Sequence, residues 1–267
     1  MIRDITLGQY YPADSILHKL DPRVKLVTTL VFLTALFLVS SWWGYLAATL
    51  FLAWVIRLSK VPFKFMIRGL KAIIMILMIT VVFNLFLTPG ERVLVQFWKL
   101  QITDTGLRTA AFMAVRLIYL IIGSSVMTLT TTPNDLTDGM ERLLSPLKKL
   151  RVPVHEISMM MSIALRFIPI LMEETDKIMK AQMARGADFE HGNLMQKARN
   201  LVPLLVPLFI SAFQRAHDLA MAMEARCYRG GEGRTKMKPL AYQRRDYAAY
   251  GAAVCFLAVI IAVRVVV

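Results

Sequence analysis

Between Tyr247 and Val263 no side chain carries a charge, and the same holds from Ala72 to Leu87, where Pro89-Gly90 follows as a stop. A helix needs roughly 17–25 apolar residues to cross a bilayer. Three further candidates run from Val24 to about Ser41, from there to about Ile56, and from Leu107 to Thr130. Inside a bilayer every backbone N–H and C=O must be paired within its own segment, so such runs are read as helices. The composition agrees: 57% of the chain is hydrophobic and the mean hydropathy is +0.54. The fold class that follows is all-α, a polytopic integral membrane protein with about five transmembrane helices.

Charge supplies the topology. The 32 Lys and Arg exceed the 18 Asp and Glu, for a net charge of +14. In a membrane protein such a surplus marks the cytoplasmic side. The N-terminal segment carries Arg3, Lys19, Arg23 and Lys25, and the second connection Arg57, Lys60, Lys64, Arg68 and Lys71. The connection Ser40–Gly44, which reads as a tight interfacial turn with Trp42 and Trp43 at headgroup level, carries none. The third connection holds only Arg92 and Lys99 against Glu91 and Asp104. The N-terminus is therefore expected in the cytoplasm and the C-terminus outside. The first 23 residues are polar and do not form a cleavable signal peptide.

Between Thr131 and Arg245 charges recur every few residues, and 18 of the 32 basic residues lie there. The expected division is 1–131 for the N-terminal segment and four spans, 132–245 for a cytoplasmic helical domain, and 246–267 for the last span. Thr132-Pro133-Asn134-Asp135 is a helix start of capping-box type. Pro153 opens a helix that runs to Ala184, and another spans Leu194 to Arg226. Ile157–Met172 and Leu201–Phe213 are apolar, but the first holds Arg166 and Pro169 and the second is short, so both are read as non-spanning.

Several chemistries are excluded by spacing. Cys227 and Cys255 are too few for a disulfide framework or a cysteine metal site. His155-Glu156 lacks the second histidine of a zinc-protease helix, since position 159 is Met. Gly230–Thr235 lacks the Gly-Lys-Ser/Thr of a phosphate loop. No catalytic or metal residue is assigned, no cofactor is expected in this chain, and no basic-aromatic platform points to nucleic acid. Within the spans the polar side chains are few, chiefly Asn84 and Arg116, and no acid lies in the middle of one. A self-contained secondary transporter would need such groups.

What recurs is a helix ending. Ala184-Arg185-Gly186 closes one long helix and Ala225-Arg226-Cys227 the next, with the arginines 41 positions apart. A glycine after the last turn and a cation in it make an ordinary helix stop. Two copies on consecutive helices also present two forked cations suited to carboxylates on partners. The same helices carry Met159, Met160, Met161, Leu165 and Met172 on one, and Leu204 and Leu208 on the other. Part of this stripe is mutual packing, and part suits docking, because Met-rich surfaces adapt to several partners. Cys does not favour a left-handed turn, so Gly230 or Gly231 is expected to end the second helix.

These residues, with Gln9-Tyr10, Asp14-Ser15, His18, Leu20-Asp21-Pro22-Arg23, Lys25, Pro133, Leu143-Leu144, Pro146 and Arg166-Phe167-Ile168-Pro169, resemble EcfT. That family is the transmembrane coupling component of energy-coupling factor transporters, related to the cobalt-transport membrane component. The resemblance covers essentially the whole chain and departs from the family at Cys227, where Gly is usual. It implies a cytoplasmic domain of long coupling helices and a non-catalytic subunit of an ABC-type importer in the cell membrane. Arg185 and Arg226 would sit in grooves of two partner ATPases, which bind ATP and magnesium. The stripe would meet a separate membrane subunit, either dedicated or interchangeable, that binds a vitamin or transition-metal ion. The alternatives are a secondary transporter and a conventional ABC permease.

Overall fold

The computed structural model describes residues 10–88, 93–97, 100–187, 189, 194–230, 237 and 239–266. The Pro89-Gly90 stop, Arg3, Gln9, Arg92, Lys99, His191 and the turn from Gly231 to Thr235 lie outside the described residues. Two compact units are present: Gly8–Gly139 with Leu240–Val267, and Met140–Pro239 with Met1–Leu7.

The first unit is built from α1 (Pro22–Leu38), α2 (Trp42–Ser59), α3 (Phe63–Leu87), α4 (Asp104–Thr130), the opening of α5 (Pro133–Leu143), and α8 (Arg244–Val266). Each start has a local cause. Asp21 accepts from the Arg23 N–H and Pro22 has no N–H to lose, so α1 begins there. Ser41 Oγ accepts from the Gly44 N–H at 3.4 Å, which starts α2 at once. The turn expected over Ser40–Gly44 therefore shrinks to Val39–Ser41, and Trp42 and Trp43 belong to the first turn of α2. Thr103 Oγ1 caps α4 through the Gly106 N–H at 3.0 Å and donates to the Thr88 carbonyl at 2.9 Å. Thr132 Oγ1 accepts from the Asp135 N–H and donates to its carboxylate, a variant of the expected capping box.

One feature is not helical. β1 (Val93–Phe97) and β2 (Leu100–Thr103) form an antiparallel hairpin leading into α4. The alternating apolar positions of this connection suit a strand as well as a loop.

Helices α1, α2, α4 and α8 share one core. Phe51 stacks on Phe256 at 4.3 Å, and Phe32 lies 5.7 Å from Phe256. Leu36, Ala48, Met66 and Ile260 are almost fully enclosed. Gly123 permits the closest approach of α4 to α1, because a Cβ there would stand 2.5 Å from the Phe32 ring. α3 packs along α4 while exposing Ile74, Met75, Ile76, Met78 and Phe83 outward, as a lipid-facing helix does.

Among the described residues four helices are long and apolar enough to cross a membrane: α2, α4, α8 and α6 (Val154–Ala184), with a shorter apolar stretch, Ile73–Phe86, inside α3. α1 has 17 residues, about 26 Å of helix. α6 joins the group by length and composition although the sequence reading keeps it out of the membrane.

The second unit holds the end of α5, a 3-10 turn (Ser145–Leu150), α6, and α7 (Leu194–Ala225). Glu141 pins the start of α6, accepting from His155 Nδ1 at 2.9 Å and Ser158 Oγ at 3.2 Å. α6 and α7 pack on each other antiparallel. Pro203 and Pro207 stand inside α7, which continues through them. Pro207 has no N–H for the Pro203 carbonyl. That carbonyl instead accepts from Gln182 Nε2 on α6 at 3.2 Å.

Candidate functional site

The two arginine motifs end their helices in one and the same way. At the end of α6 the Gly186 N–H donates to the Met183 carbonyl at 3.0 Å and the Ala187 N–H to Gln182 at 3.0 Å. At the end of α7 the Cys227 N–H donates to Glu224 at 2.8 Å and the Tyr228 N–H to Met223 at 3.0 Å. This is the Schellman pairing, which satisfies the last carbonyls through a left-handed residue just past the cap. Gly186 supplies it with φ +89° and Cys227 with φ +54°. The expectation that Gly230 or Gly231 would end α7 is therefore corrected. Gly230 also has φ +91°, but it lies three residues beyond the stop. The hydrogen bonds of Cys227 and Tyr228 hold Cys227 in a conformation its Cβ disfavours by about 1–2 kcal/mol.

Arg185 and Arg226 occupy the cap position of each motif, where the helix dipole favours a cation. Both are exposed, and neither guanidinium has an ion-pair or hydrogen-bond partner among the described residues. Ala184 and Ala225 close the last helical turn beside them and are exposed too.

Among the described residues one ion pair relates the two tips. Arg215 Nη2 on α7 meets Glu174 on α6 at 3.2 Å. Arg185 lies eleven residues past Glu174, and Arg226 eleven past Arg215, in opposite directions on antiparallel helices. At 1.5 Å per residue the two tips stand on the order of 30 Å apart. The pair itself is partly solvated and is worth little by itself. Its consequence is register: the arginines are set symmetrically about it.

The stripe divides on inspection. Met160 and Met161 are exposed, at 58% and 41%. Met159, Leu165, Met172 and Leu208 are half-buried, and Leu204 is buried. On α7 the exposed apolar surface is larger than the stripe foresaw, and Val202, Val206, Ile210 and Phe213 extend it. The signal was present as the unbroken apolar run Leu201–Phe213, whose side chains cover every face of the helix. Leu171, Leu205, Val206 and Phe209 line a wholly apolar groove of about 510 Å³ there.

The polar groups of the spans serve structure. Arg116 donates to the Val39 carbonyl at 3.0 Å, satisfying the C-terminus of α1. Asn84 donates to Thr80 in its own helix at 2.8 Å.

The residues Asp21, Arg23 and Lys25 form a second constellation. Lys25 is buried, and its ammonium donates to the carbonyls of His18 at 3.1 Å and Thr130 at 2.8 Å, closing the end of α4. Asp246 accepts from the Asp21 N–H at 2.9 Å, and Arg23 lies over the Tyr242 ring and bonds the Leu240 carbonyl. Burial alone would raise the Asp21 carboxyl, but the hydrogen bonds and charge of Arg23 outweigh it and hold the group below the ordinary range. These residues tie the starts of α1 and α8 to the end of α4. The sequence offers Lys25 as a topology charge and as part of the family pattern; its structural role needs the three-dimensional meeting with Thr130.

Apolar helices closed on a shared core, with helix-end carbonyls satisfied by Arg116 and Lys25, define a polytopic integral membrane protein. Residues 13–237 match the family model described as CbiQ, cobalt transport protein. The chain is 59% identical over 250 residues, 93% of both chains, to the energy-coupling factor transporter transmembrane protein EcfT of Clostridium kluyveri. It is 53% identical over 257 residues to that of Ruminiclostridium cellulolyticum, 96% of each chain, and 49% over 246 residues to that of Bacillus subtilis, 92% and 93%. The chain belongs to this family of membrane transport proteins, the cobalt-transport and energy-coupling factor transmembrane components.

Proposed function

We propose that this chain is the non-catalytic coupling subunit of an energy-coupling factor importer. It joins two ABC-type ATPases to a separate membrane subunit that carries a vitamin or a transition-metal ion. The observation that carries the reading is the matched pair of helix ends, each presenting an exposed arginine without a partner among the described residues, at opposite ends of α6 and α7. Their separation, on the order of 30 Å, suits two separate protein partners better than one shared pocket. An arginine fork fits a carboxylate in an ATPase groove. ATP and magnesium would bind in those partners, and this chain needs no cofactor of its own. The N-terminus and residues 132–245 would face the cytoplasm, the C-terminus the outside.

Closure of the two ATPases on ATP would move the two tips together. Because Glu174–Arg215 and Gln182–Pro203 fix the register of α6 on α7, motion at a tip passes along the pair as a body. The apolar face carrying Met160, Met161, Leu205 and Phe209 would then shift under the substrate-binding subunit. Such a patch of exposed large apolar side chains is what a partner or lipid covers. A secondary transporter is the weaker reading, since Arg116 and Asn84 each donate to a backbone carbonyl and no acid lies in the middle of a span.

The test is co-expression with candidate operon neighbours and purification in mild detergent, with mass spectrometry of the retained chains. Two ATPases and a substrate-binding membrane protein are expected. Met160→Asn with Leu165→Asn should release the membrane partner while both ATPases stay. Equal loss of all partners would contradict the assigned surface.

A further inference from the structure

A second cavity belongs to the membrane unit and takes no part in the coupling role. It is a cleft of about 340 Å³ between the start of α1, the end of α2, the end of α4 and the start of α8. Its walls are apolar, chiefly Phe32, Phe51, Leu58 and Val126. The space exists because, beyond Arg245, α8 contributes only methyl groups there, from Ala248, Ala249, Ala252 and Ala253. Ile16 and Trp54, also on its lining, are more than half exposed, so the cleft opens at the surface of the bundle. On a membrane protein that surface meets lipid, and Trp favours the headgroup level.

The polar end carries two cations. Lys25 and Arg245 both line the cleft. Lys25 is buried and spends two of its ammonium hydrogens on the carbonyls of His18 and Thr130. The Nε of Arg245 is buried and has no hydrogen-bond partner. The nearby acids do not offer it an acceptor, although Asp135, Asp21 and Asp246 act on Lys25 through their charge. Asp246 accepts from the Asp21 and Gln243 N–H groups, and Asp21 takes Arg23 on both oxygens. A buried guanidinium N–H without a partner is costly unless a ligand supplies the acceptor.

We propose that this cleft holds one acyl chain of an anionic phospholipid, with the phosphate on Arg245 and Lys25. An apolar slot ending in two cations matches the two halves of that molecule, and bilayer lipid is the amphiphile always present at its mouth. A zwitterionic lipid would fill the slot but bring a second cation to the same end.

The test is native mass spectrometry of the detergent-purified full chain, titrated with phosphatidylglycerol or with phosphatidylcholine of identical acyl chains. One retained phosphatidylglycerol is expected, with phosphatidylcholine retained at least five-fold less. Ala249→Leu with Ala252→Leu should abolish retention of both by filling the slot. Arg245→Gln should lower phosphatidylglycerol about ten-fold, to the level of phosphatidylcholine, as expected for one lost charge-assisted bond. Arg245→Gln leaves the packed core untouched and decides the matter even if the leucine variant does not fold. Equal retention of the two lipids, or retention unchanged by Arg245→Gln, would overturn the proposal. So would displacement of the lipid by millimolar inorganic phosphate, which would assign the cations to a soluble anion. Loss of a dimer instead of lipid on filling would assign the cleft to a second copy, and would overturn it as well.

Discussion

Exchanging the stop residues of the two long helices separates what glycine does from what arginine does. Gly186 has φ +89°, and a Cβ built on it meets nothing within 4 Å. Gly186→Ala therefore causes no clash, and its cost is the backbone preference, about 1–2 kcal/mol, less the roughly 0.4–1 kcal/mol by which losing glycine disfavours the unfolded chain. Cys227 already bears that cost at φ +54°. Cys227→Gly should recover it, less the roughly 0.4–1 kcal/mol by which glycine favours the unfolded chain. The net gain is about 0.5–1 kcal/mol. A global melt is the wrong assay, since a fraying helix end opens locally. Hydrogen exchange of the Gly186, Ala187, Cys227 and Tyr228 amides reports it directly, as these donate the closing bonds. Gly186→Ala should speed exchange of Ala187, and Cys227→Gly should slow that of Tyr228, each by about two- to five-fold. If Gly186→Ala leaves exchange unchanged, or Cys227→Gly accelerates it, the shared Schellman ending is not what terminates these helices.

Other perturbations follow from single contacts. Gly123→Ala puts a Cβ 2.5 Å from the Phe32 ring and should cost about 1–3 kcal/mol, seen as a lower unfolding temperature in detergent. His18 has its pKa lowered by burial, against the opposing Tyr11 carbonyl. Its Nε2–H donates to that carbonyl at 2.9 Å, so Nδ1 accepts from Ser15 Oγ and the ring is neutral. On acidification the unfolded chain takes up this proton first, so stability should fall as pH drops below about 6.5. A His18→Gln variant should lack that component in melting temperature against pH.

The sequence displayed its spans through apolar runs and the start of α5 through Thr132-Pro133-Asn134-Asp135, because capping and hydrophobicity are local properties, whereas the cap Ser41 was hidden inside what reads as a turn. It displayed the two arginines through a repeated tripeptide. The left-handed Cys227 was hidden, since residue preference argues against it and only the bonds of Cys227 and Tyr228 to α7 override that preference. The buried role of Lys25 was hidden too: its partner Thr130 lies 105 positions away. Likewise, Gln182 reads as an ordinary polar residue until the carbonyl freed by Pro207 is brought beside it. The hairpin leading into α4 and the exposed extent of α7 depend on what those segments meet, which periodicity does not encode.

Arg185→Glu and Arg226→Glu, singly and together, test the coupling role most directly. With the two ATPases co-expressed and the chain affinity-purified from membranes, each single variant should weaken the complex. The double variant should lose both ATPases while membrane insertion and yield of the chain itself are preserved. Retention of both ATPases at normal yield by the double variant would contradict the account.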